Sequence, residues 1–569
     1  MNKRKIDTEL FQETYLSAVQ ILAKLADPTF LFGEIGRGSG KTTHILAPRI
    51  DRVQNSMPGA TLMFAGATYK SLIDNIIPQA SSYFIENYER GYYYEIGKQP
   101  PKHFKKCDTL ITDWKHTYSF HTGAVLKLAS CDRPESMLGV NTPHIFLDEM
   151  RKIKKEKFVQ NMLPALRADR SKYGHSPYFM GMTGFSSTPN FEVDEDWWTE
   201  YESNMIPELM DSIIEIAYEI DMRKYELRKA QKSVNLDLVK QHENFIRRWT
   251  ERVNELRRGQ TYYLRASSFS NIKILGIDYI ENQLKSIKDD DDFNTEILGI
   301  RKNKVKDRFF GKFGKEHIFE DSYIYGRIDK MSIEENIKFT SRDLKYCDPD
   351  EPLYMGFDPG PFMSCVFGQR NRNTKEFRVI KDFCVIHPEQ HEELAEKIED
   401  FFNEHRYMKI FLHYDRAANQ RDPKYRDYYA LTGDLSDTDA NLLKIYLERK
   451  GWQVELMSLG MPVIFYSQHY RLLSILFGKN DGTRDNILID GNECESLVSS
   501  IYHSPLKRHE GKVMLDKSSE KLLEYKDQRL YSTQIASAAM YLFFGEYKKY
   551  LPASDNPGAL GYGGGTYTA

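Results

Sequence analysis

Several features that restrict where a protein can work are missing from this sequence of 569 residues. It has no run of about eighteen or more apolar residues, so no membrane span is expected. Mixed polar sequence follows the basic N-terminal residues, so no secretory signal peptide is expected. Its six cysteines show no CxxC spacing, which argues against disulfides and structural zinc and fits a reducing cytoplasm.

Composition and charge are those of a soluble protein with several domains. Hydrophobic residues make up 41% and charged residues 28% of the chain, and its length predicts two or three domains. The formal net charge of −3 does not indicate a nucleic-acid protein, yet binding depends on local patches rather than on the total. Two basic clusters, at 102–106 and 151–155, are either solvated surface or such patches.

The first 200 residues alternate short apolar runs with helical stretches, which predicts a parallel sheet covered by helices. Loops rich in Gly, Ser and Thr follow these strands, at the edge where open α/β sheets bind their ligands. The predicted strands are Phe30–Ile35, Ala60–Thr68, Val125–Ala129, His144–Leu147 and Tyr178–Thr183.

A glycine-rich loop after the first strand is typical of nucleotide phosphate binding. Backbone N–H groups must converge on the phosphates with no Cβ in the way, which the glycines of this loop allow. The pattern Gly-x-x-x-x-Gly-Lys-Ser/Thr is met, except that Ile35 occupies its first glycine position. We predict that Lys41 reaches the β- and γ-phosphates and that Thr42 binds Mg²⁺. The predicted ATP-binding residues are Gly36, Arg37, Gly38, Ser39, Gly40, Lys41, Thr42 and Thr43.

Two carboxylates follow the predicted strand His144–Leu147. Asp148 at a strand's end can hold magnesium through water, and Glu149 can polarise the attacking water. An Asp-Glu pair alone is common on protein surfaces, but this one ends a buried strand of the sheet that carries the phosphate loop. Together the two motifs predict an Mg²⁺-dependent nucleoside triphosphatase.

Three polar residues near these motifs each have two interpretations. Arg37 is either an exposed loop charge or a guanidinium that stabilises charge on the γ-phosphate during its transfer. Ser187 and Thr188 follow the strand after the Asp-Glu pair. Their hydroxyls either sense the γ-phosphate or belong to a plain turn.

Between 201 and 258 the sequence becomes long, charged and helical. Ile246, Trp249, Val253 and Leu256 recur at helical spacing and form one apolar stripe. Either the stripe packs the helix down onto the protein, or the region is an arm that contacts a neighbouring subunit or DNA.

A second α/β pattern begins near Leu353, after linker-like residues at 348–352. Three strand-like runs come first, then a helix, a strand, further helices and a last strand. The predicted elements are 353–358, 364–369, 377–385, 389–405, 409–415 and 452–456. This is the element order of the ribonuclease-H-like fold.

Asp358 and Asp415 each end a strand of the second pattern. An Asp before Pro-Gly also suits an ordinary turn, so Asp358 alone would indicate little. Carboxylates on adjacent strand ends, however, can share two divalent metal ions and cleave phosphodiesters by in-line attack. The pair and the strand order together predict a two-metal nuclease.

A two-metal site normally has a third carboxylate near the C-terminal helix, which is predicted at 534–544. The helix itself offers Gln534 and Ser537 instead of an acid. We therefore predict Asp527 as the third ligand, with Glu524 as the alternative.

These patterns predict an α/β protein with an N-terminal P-loop (RecA/ASCE-like) ATPase domain and a C-terminal ribonuclease-H-like nuclease domain. The ATPase core is predicted at 1–200 and a helical insertion, lid and linker region at 201–340. The nuclease domain is predicted at 341–550, and a flexible Gly/Tyr-rich tail at 551–569.

The ordered set of motifs resembles the large terminase subunit of tailed bacteriophages. It comprises a phosphate loop with an internal Arg, an Asp-Glu strand, a Ser/Thr-rich loop and a ribonuclease-H-like half. Smaller matches lie at 66–69, 130–139, 268–271 and 296–299. The resemblance covers nearly the whole chain except the 201–258 region and the tail. This sequence departs from the family near 534–537, where the family usually carries an acid.

The resemblance implies an ATPase that uses Mg²⁺ and moves double-stranded DNA into a procapsid. It also implies a nuclease that cuts concatemers with two Mg²⁺ or Mn²⁺ ions, bound by Asp358 and Asp415. The implied assembly is a homo-oligomeric ring on a portal protein, served by a small terminase subunit, in the cytoplasm of the infected bacterial host. By the same resemblance Arg37, Lys41 and Glu149 are catalytic, and Ser187-Thr188 couple hydrolysis to motion.

Two other functions share part of this evidence. A repair or recombination helicase with a fused nuclease has the same first two motifs, but it needs a second RecA-like half, and none is found between 200 and 340. A capsid adaptor with a degenerate ATPase fold would have to bind ATP without hydrolysing it.

Overall fold

The computed structural model describes residues 16–552 except 134–138, 191–193, 287–289, 302–307, 334, 336, 361, 420–437, 481, 510–511 and 518–531. The chain divides into two compact units. The first comprises 1–283, 289–302 and 328–337, and the second comprises 284–288, 303–327 and 338–569. Within the described part of the chain, no helix is long and apolar enough to cross a membrane.

An eight-stranded sheet forms the centre of the first unit. Its strands are β1 (Phe30–Ile35), β2 (Thr61–Gly66), β3 (Tyr94–Ile96), β4 (Thr117–Phe120), β5 (Val125–Ser130), β6 (His144–Asp148), β7 (Gly181–Ser186) and β8 (Thr261–Ala266). They lie in the order β3-β4-β5-β2-β6-β7-β1-β8, and the six from β5 to β8 in this order are parallel. The carboxyl ends of β6, β7 and β1 are therefore neighbours at one edge of the sheet.

The interior of this sheet is buried on both faces, as expected for parallel strands under helices. Every residue of β2, β6 and β7 is buried. The α-helices of seven or more residues are α1 (Ala18–Ala26), α2 (Ala47–Ser56), α3 (Ile77–Asn87), α4 (Pro207–Lys232), α5 (Leu236–Arg257), α6 (Ile277–Ser286) and α7 (Asp290–Glu296). Short helical turns also lie at Tyr69–Ser71, Lys155–Lys157, Arg170–Tyr173 and Ile272–Leu275. A helical turn, Lys41–Leu46, leads from the glycine-rich loop into α2.

Helices α4 and α5 form a hairpin whose inner faces pack together. Val253 of α5 joins a buried cluster with residues of α4, and Ile246 and Trp249 pack against that cluster. Three of the four predicted stripe residues therefore pack inward, whereas Leu256 is exposed.

Strand β7 differs from its predicted bounds, Tyr178–Thr183. The strand begins at Gly181 because the preceding residues form turns, in which the amide of Phe179 donates to the carbonyl of Ser176 and that of Gly181 to Tyr178. Strands β3, β4 and β8 were not predicted. The first two are short, with three and four residues.

A seven-stranded sheet forms the centre of the second unit. Its strands are β9 (Ile318–Phe319), β10 (Leu353–Asp358), β11 (Phe362–Asn371), β12 (Glu376–Ile386), β13 (Lys409–Tyr414), β14 (Gln453–Leu456) and β15 (Asn486–Asp490), in the order β14-β13-β10-β11-β12-β15-β9. Only β11 runs against its neighbours β10 and β12. This topology confirms the predicted ribonuclease-H-like order.

Helices cover this sheet, and a small hairpin, β16 (Leu506–His509) and β17 (Lys512–Leu515), lies beside it. The helices are α8 (His391–Phe402), α9 (Asp439–Arg449), α10 (Tyr466–Leu476), α11 (Glu495–Tyr502) and α12 (Gln534–Tyr547). Because β9 pairs with β15 and Ser322 donates to Asp490, the segment 303–327 belongs to the second unit.

Candidate active sites

The glycine-rich loop of the first unit has the backbone that phosphate binding requires. Gly38 and Gly40 have φ values of 76° and 70°, a left-handed conformation that favours glycine. A Cβ on Gly36 would lie 2.6 Å from the backbone nitrogen of Ser268, so this position also requires glycine. Ile35 is fully buried as the last residue of β1, and the loop proper therefore begins one residue later than the sequence pattern expects.

Lys41 and Thr42 connect the loop to the carboxyl ends of β7 and β6. The Lys41 Nζ donates to the carbonyl of Ile35 at 2.9 Å and to the Ser187 hydroxyl at 3.1 Å. The Thr42 hydroxyl donates to Asp148 Oδ2 at 2.8 Å. A hydroxyl and a carboxylate oxygen at this distance are hard oxygen ligands suited to Mg²⁺. Burial lowers the pKa of Lys41, although nearby Glu149 and Asp148 oppose the shift.

The other two hydroxyls of the loop are used locally. Ser39 donates to the carbonyl of Gly36 at 2.6 Å, which closes the loop, and Thr43 donates to the carbonyl of Gln79 at 3.4 Å. The backbone carbonyl of Ser39 accepts from the Gln20 side chain at 3.0 Å, and that of Gly38 accepts from Asn271 at 2.9 Å. Both contacts fix the loop from outside.

Asp148 and Glu149 have opposite electrostatic environments at the end of β6. Burial and the neighbouring Glu149 charge raise the pKa of Asp148 to about 6. Burial would also raise the pKa of Glu149, but Arg151 and Lys41 outweigh it and hold this pKa below its usual range. Glu149 has a left-handed backbone with φ of 51°, which turns the chain sharply out of the strand.

A single carboxylate, Glu296, joins the phosphate loop to the Asp-Glu motif. Its Oε2 lies 2.8 Å from Arg37 Nε, and its Oε1 accepts from Arg151 Nη1 at 2.9 Å. Arg151 also donates from Nε to Glu149 Oε2 at 3.3 Å. The pKa of Glu296 falls to about 2, because Arg151 and Arg37 outweigh the effect of its burial. Arg37 and Glu149 thus belong to one chain of ion pairs.

Ser187 and Thr188 lie directly after β7, between the phosphate loop and the Asp-Glu motif. Ser187 accepts from Lys41, as described above. Thr188 is fully buried, and its hydroxyl has no hydrogen-bond partner among the residues that the structure describes. The contact of Ser187 with Lys41 is compatible with a coupling role, which stays a prediction for both residues.

Four residues of this site had not been identified as site residues from the sequence: Gln20, Arg151, Asn271 and Glu296. Glu296 and Asn271 lie in segments that carried the family resemblance, and Arg151 lies in a cluster interpreted by charge alone. Gln20 is the last residue of a Ser-x-x-Gln capping box at the start of α1, which marks a helix start but not a ligand contact.

The second unit places Asp358 and Asp415 at the ends of paired strands. Strands β10 and β13 are parallel, and Phe357 is in register with Tyr414, so the two carboxylate residues follow at equivalent positions. Asp358 is buried. The amide of Arg416 donates to Asp415 Oδ1 at 2.7 Å, which orients that carboxylate. Two hard oxygen donors on neighbouring strand ends fit divalent metal ions.

Helix α12 packs across β10 at Gly356. A Cβ on Gly356 would meet the carbonyl of Ala538, and Arg370 lies over the rings of both Tyr354 and Tyr547. The Gln534 Oε1 is buried with no hydrogen-bond partner in the described part of the chain.

The predicted third ligand, Asp527, and its alternative, Glu524, lie outside the described residues. Within the described ranges no group of three or more His, Cys, Asp or Glu residues is arranged to hold a metal ion. Ser537 donates to the carbonyl of Thr533 at 2.9 Å and so serves its own helix.

Comparisons with known proteins give structural similarities only. No protein-family profile and no curated protein matches the sequence. The large terminase from a thermophilic bacteriophage, solved with ATP-gamma-S, is similar at 12% identity over 93% of this chain and 99% of that one, with a TM-score of 0.34. The ATPase domain of the Thermus phage P74-26 large terminase matches 50% of this chain and 93% of its own, at 14% identity and a TM-score of 0.28.

A third similarity concerns the second unit. The large terminase nuclease from thermophilic phage G20c, solved with bound cobalt, matches at 14% identity and a TM-score of 0.21. The match covers 35% of this chain and 81% of that nuclease. All three TM-scores are low, so these similarities do not establish a function.

Proposed function

We propose that this chain is the large subunit of a viral DNA-packaging motor. It hydrolyses ATP to move double-stranded DNA into a procapsid and cleaves concatemeric DNA with a two-metal nuclease. The observation that supports this proposal is that one chain carries two separate sites for phosphate chemistry. One is the glycine loop with its Thr42–Asp148 contact, and the other is the pair Asp358 and Asp415 on parallel strand ends.

In the first unit, the loop amides and Lys41 bind the phosphates of ATP, and Glu149 activates the attacking water as a general base. Its lowered pKa keeps Glu149 ionised and able to accept a proton. Arg37 stabilises charge that develops on the γ-phosphate. Thr42 and Asp148 would hold Mg²⁺, which supplies charge neutralisation at the β- and γ-phosphates. Ser187 and Thr188 transmit the occupancy of the site to β7.

In the second unit, Asp358 and Asp415 bind the metal ions of the nuclease, with Asp527 as the third acidic ligand. Two divalent ions, Mg²⁺ or Mn²⁺, would supply Lewis acidity for in-line attack on a phosphodiester. The unpartnered oxygen of Gln534, the first residue of α12, offers a further neutral donor.

The partners follow from this function. Double-stranded DNA is the substrate of both units, a homo-oligomeric ring on the portal protein delivers it to the procapsid, and a small terminase subunit selects the start of packaging. The motor acts in the cytoplasm of the infected bacterial host.

The alternative is a DNA repair or recombination helicase with a fused nuclease, and among the described sheets none besides that of the first unit could form a motor half. A helicase needs a second motor half with a parallel sheet, whereas the second sheet contains the antiparallel strand β11 at its centre.

The test is a packaging assay with the purified full-length protein, empty procapsids that carry their portal, linear double-stranded DNA and ATP-Mg²⁺. DNase is added afterwards, and the DNA that survives inside the capsids is measured. We expect protected DNA that requires ATP and is lost with a non-hydrolysable ATP analogue. DNA unwinding in a strand-displacement assay, without protection, would support the helicase instead.

The third nuclease ligand is tested separately. Plasmid cleavage in Mn²⁺ is compared for Asp527→Asn, Glu524→Gln and Gln534→Ala. Loss of cleavage in Asp527→Asn alone supports the proposed ligand, and full activity in that variant removes it.

A further inference from the structure

The α4–α5 hairpin of the first unit has two halves of opposite charge. From Pro207 to Met222 the chain contains five Asp or Glu residues and no Lys or Arg. From Arg223 to Arg252 it contains nine Lys or Arg residues and four Asp or Glu residues. The distal half, defined here as Arg223–Arg252, is therefore a basic segment within a chain whose net charge is −3.

The proximal half of the hairpin anchors it to the unit. Met210, Ile213, Ile220 and Val253 form a buried cluster, and Tyr262 of β8 packs against it. In the distal half, by contrast, the only buried residues are Ala230 and His242, and every residue of this stretch is described. The distal half is thus solvent-accessible along nearly all of its length.

One face of α5 carries three basic side chains and Asn244, flanked by the exposed acids Asp237 and Glu251. Lys240, Asn244 and Arg247 recur at i, i+4 and i+7, with Arg248 beside them, and all four are exposed. This face is opposite Ile246, Trp249 and Val253, which pack toward α4. Arg247 donates to Asn244 at 3.4 Å. In the described part of the chain, Lys240, Arg247 and Arg248 form no ion pair, in contrast to Arg223, Lys224 and Lys229 of α4.

The chemistry of this face favours phosphate over a protein partner. Protein interfaces have an apolar core, and this face carries no large apolar side chain between Lys240 and Arg248. The exposed apolar residues of the hairpin lie elsewhere: on α4 (Tyr218, Met222, Tyr225), near the turn (Val234, Leu236), and at other positions of α5 (Leu238, Leu256). Interfaces with nucleic-acid backbone are polar and strongly positive, and Arg, Lys and Asn are typical donors to phosphate.

We propose that the distal half of the α4–α5 hairpin binds the phosphate backbone of duplex DNA through Lys240, Asn244, Arg247 and Arg248. The contact is independent of base sequence, since it uses cationic and amide donors on one helix face. This inference deepens the proposed function, on which it rests, because it names the surface that contacts the DNA substrate of the motor. Binding through such contacts releases counterions from the DNA and weakens steeply with salt.

The experiment uses the full-length protein and the triple variant Lys240→Gln/Arg247→Gln/Arg248→Gln. A fluorescently labelled 40-base-pair duplex is titrated in EDTA, which prevents cleavage, and anisotropy is recorded over a series of KCl concentrations. We expect the variant to bind at least about tenfold more weakly, with a slope of log K against log[KCl] less negative by about two to three, because each lost phosphate contact contributes about 0.9.

The matched control is Lys338→Gln/Lys345→Gln/Lys397→Gln. It removes the same formal charge from exposed lysines that already pair with Asp400, Asp321 and Glu389. We expect the control to bind DNA within about twofold of the parent and with the same salt slope. If DNA binding weakens equally in both triple variants, the effect is one of net charge alone, and the proposal is overturned.

Two further readouts separate the remaining outcomes. Circular dichroism checks that the triple variant of α5 keeps its helices. Its basal ATP hydrolysis should be unchanged, because the substituted face is remote in sequence from the catalytic motifs. Unchanged DNA binding combined with altered self-association in sedimentation velocity would assign the face to a second copy and overturn the proposal. If the parent protein binds DNA through this face but hydrolyses no ATP, the proposed function is wrong, whereas the DNA contact of the distal half of the hairpin stands.

Discussion

The two units position the side chains of their candidate sites in different ways. In the first unit, side chains from distant segments hold one another: Thr42 bonds Asp148, Lys41 bonds Ser187, and Glu296 joins Arg37 to Arg151. In the second unit, backbone pairing positions the two carboxylate residues, since the parallel register of β10 and β13 brings Asp358 and Asp415 to equivalent strand ends. A network of side chains can change with each nucleotide state, whereas register is fixed by the fold.

This difference suits the two tasks. A motor must link the state of its γ-phosphate to movement, so the contacts of the phosphate loop with Asp148, Ser187 and Glu296 suit the proposed motor. A nuclease needs its metal ligands at fixed positions, which strand register provides at no conformational cost. Substitutions in the side-chain network of the first unit should therefore have graded effects on ATP hydrolysis, whereas loss of either strand-end carboxylate should lower cleavage by about 100-fold or more.

The largest effect within the ATPase network is expected for Glu149→Gln. The substitution keeps size and removes the base, so ATP turnover should fall by about 10²–10⁴-fold while ATP binding persists. Steady-state hydrolysis and binding of a fluorescent ATP analogue measure the two properties. Glu156→Gln, an exposed acid on the following short helix, is the control. Turnover above a tenth of the parental rate would remove Glu149 from the chemistry.

The corresponding change in the second unit is Asp415→Asn. Plasmid cleavage in Mn²⁺ should fall by about 100-fold or more, since a metal ligand contributes several kcal/mol to the transition state. ATP hydrolysis should stay at the parental rate. Asp400→Asn on α8 serves as the control, because Asp400 is an exposed partner of Lys338. A variant that still cuts would show that strand register does not define the nuclease site.

A smaller effect is expected for Glu296→Gln, which tests whether the network sets the positions of Arg37 and Glu149. We expect kcat to fall by about tenfold with KM for ATP nearly unchanged, because the geometry of the reacting groups is disturbed rather than ATP binding. Glu296→Asp should recover part of the rate. Glu281→Gln on α6, an exposed acid, is the control.

The pH dependence of the Glu296→Gln effect follows from its lowered pKa of about 2. A carboxylate whose pKa is lowered in the folded state is fully charged above its unfolded-state pKa, and there its ion pairs contribute in full. It loses this contribution only as the pH falls toward 2. The ratio of parental to variant kcat should therefore be constant from about pH 6 to 9. A ratio that changes across this window would assign the effect to another group.

The smallest effect is expected for Gln20→Ala. One hydrogen bond from the Gln20 side chain to the carbonyl of Ser39 is lost, and a bond of this kind contributes about 1 kcal/mol. KM for ATP should rise by about fivefold at constant kcat. Gln79→Ala is matched in size and removes an exposed side chain on α3. No change in KM would show that the external contacts of the loop are dispensable.

The parts of the molecule that follow from local pattern were predictable. Strand-end acids such as Asp148 and Asp358, and the glycines at left-handed positions, are visible from hydrophobic runs and short spacing. Glu296 was not, because its partners lie more than a hundred positions away in the chain and the resemblance of 296–299 assigned it no role. The start of β7 was misplaced because apolar Tyr178 and Phe179 belong to turns.

The central claim, two independent chemistries in one chain, is tested most directly by a crossed measurement on Lys41→Ala and Asp358→Ala. ATP hydrolysis and Mn²⁺-dependent plasmid cleavage are measured for both full-length variants beside the parent. We predict that Lys41→Ala loses hydrolysis and still cleaves, and that Asp358→Ala loses cleavage and still hydrolyses. Parental ATP turnover in Lys41→Ala, or continued cutting by Asp358→Ala, would contradict the account.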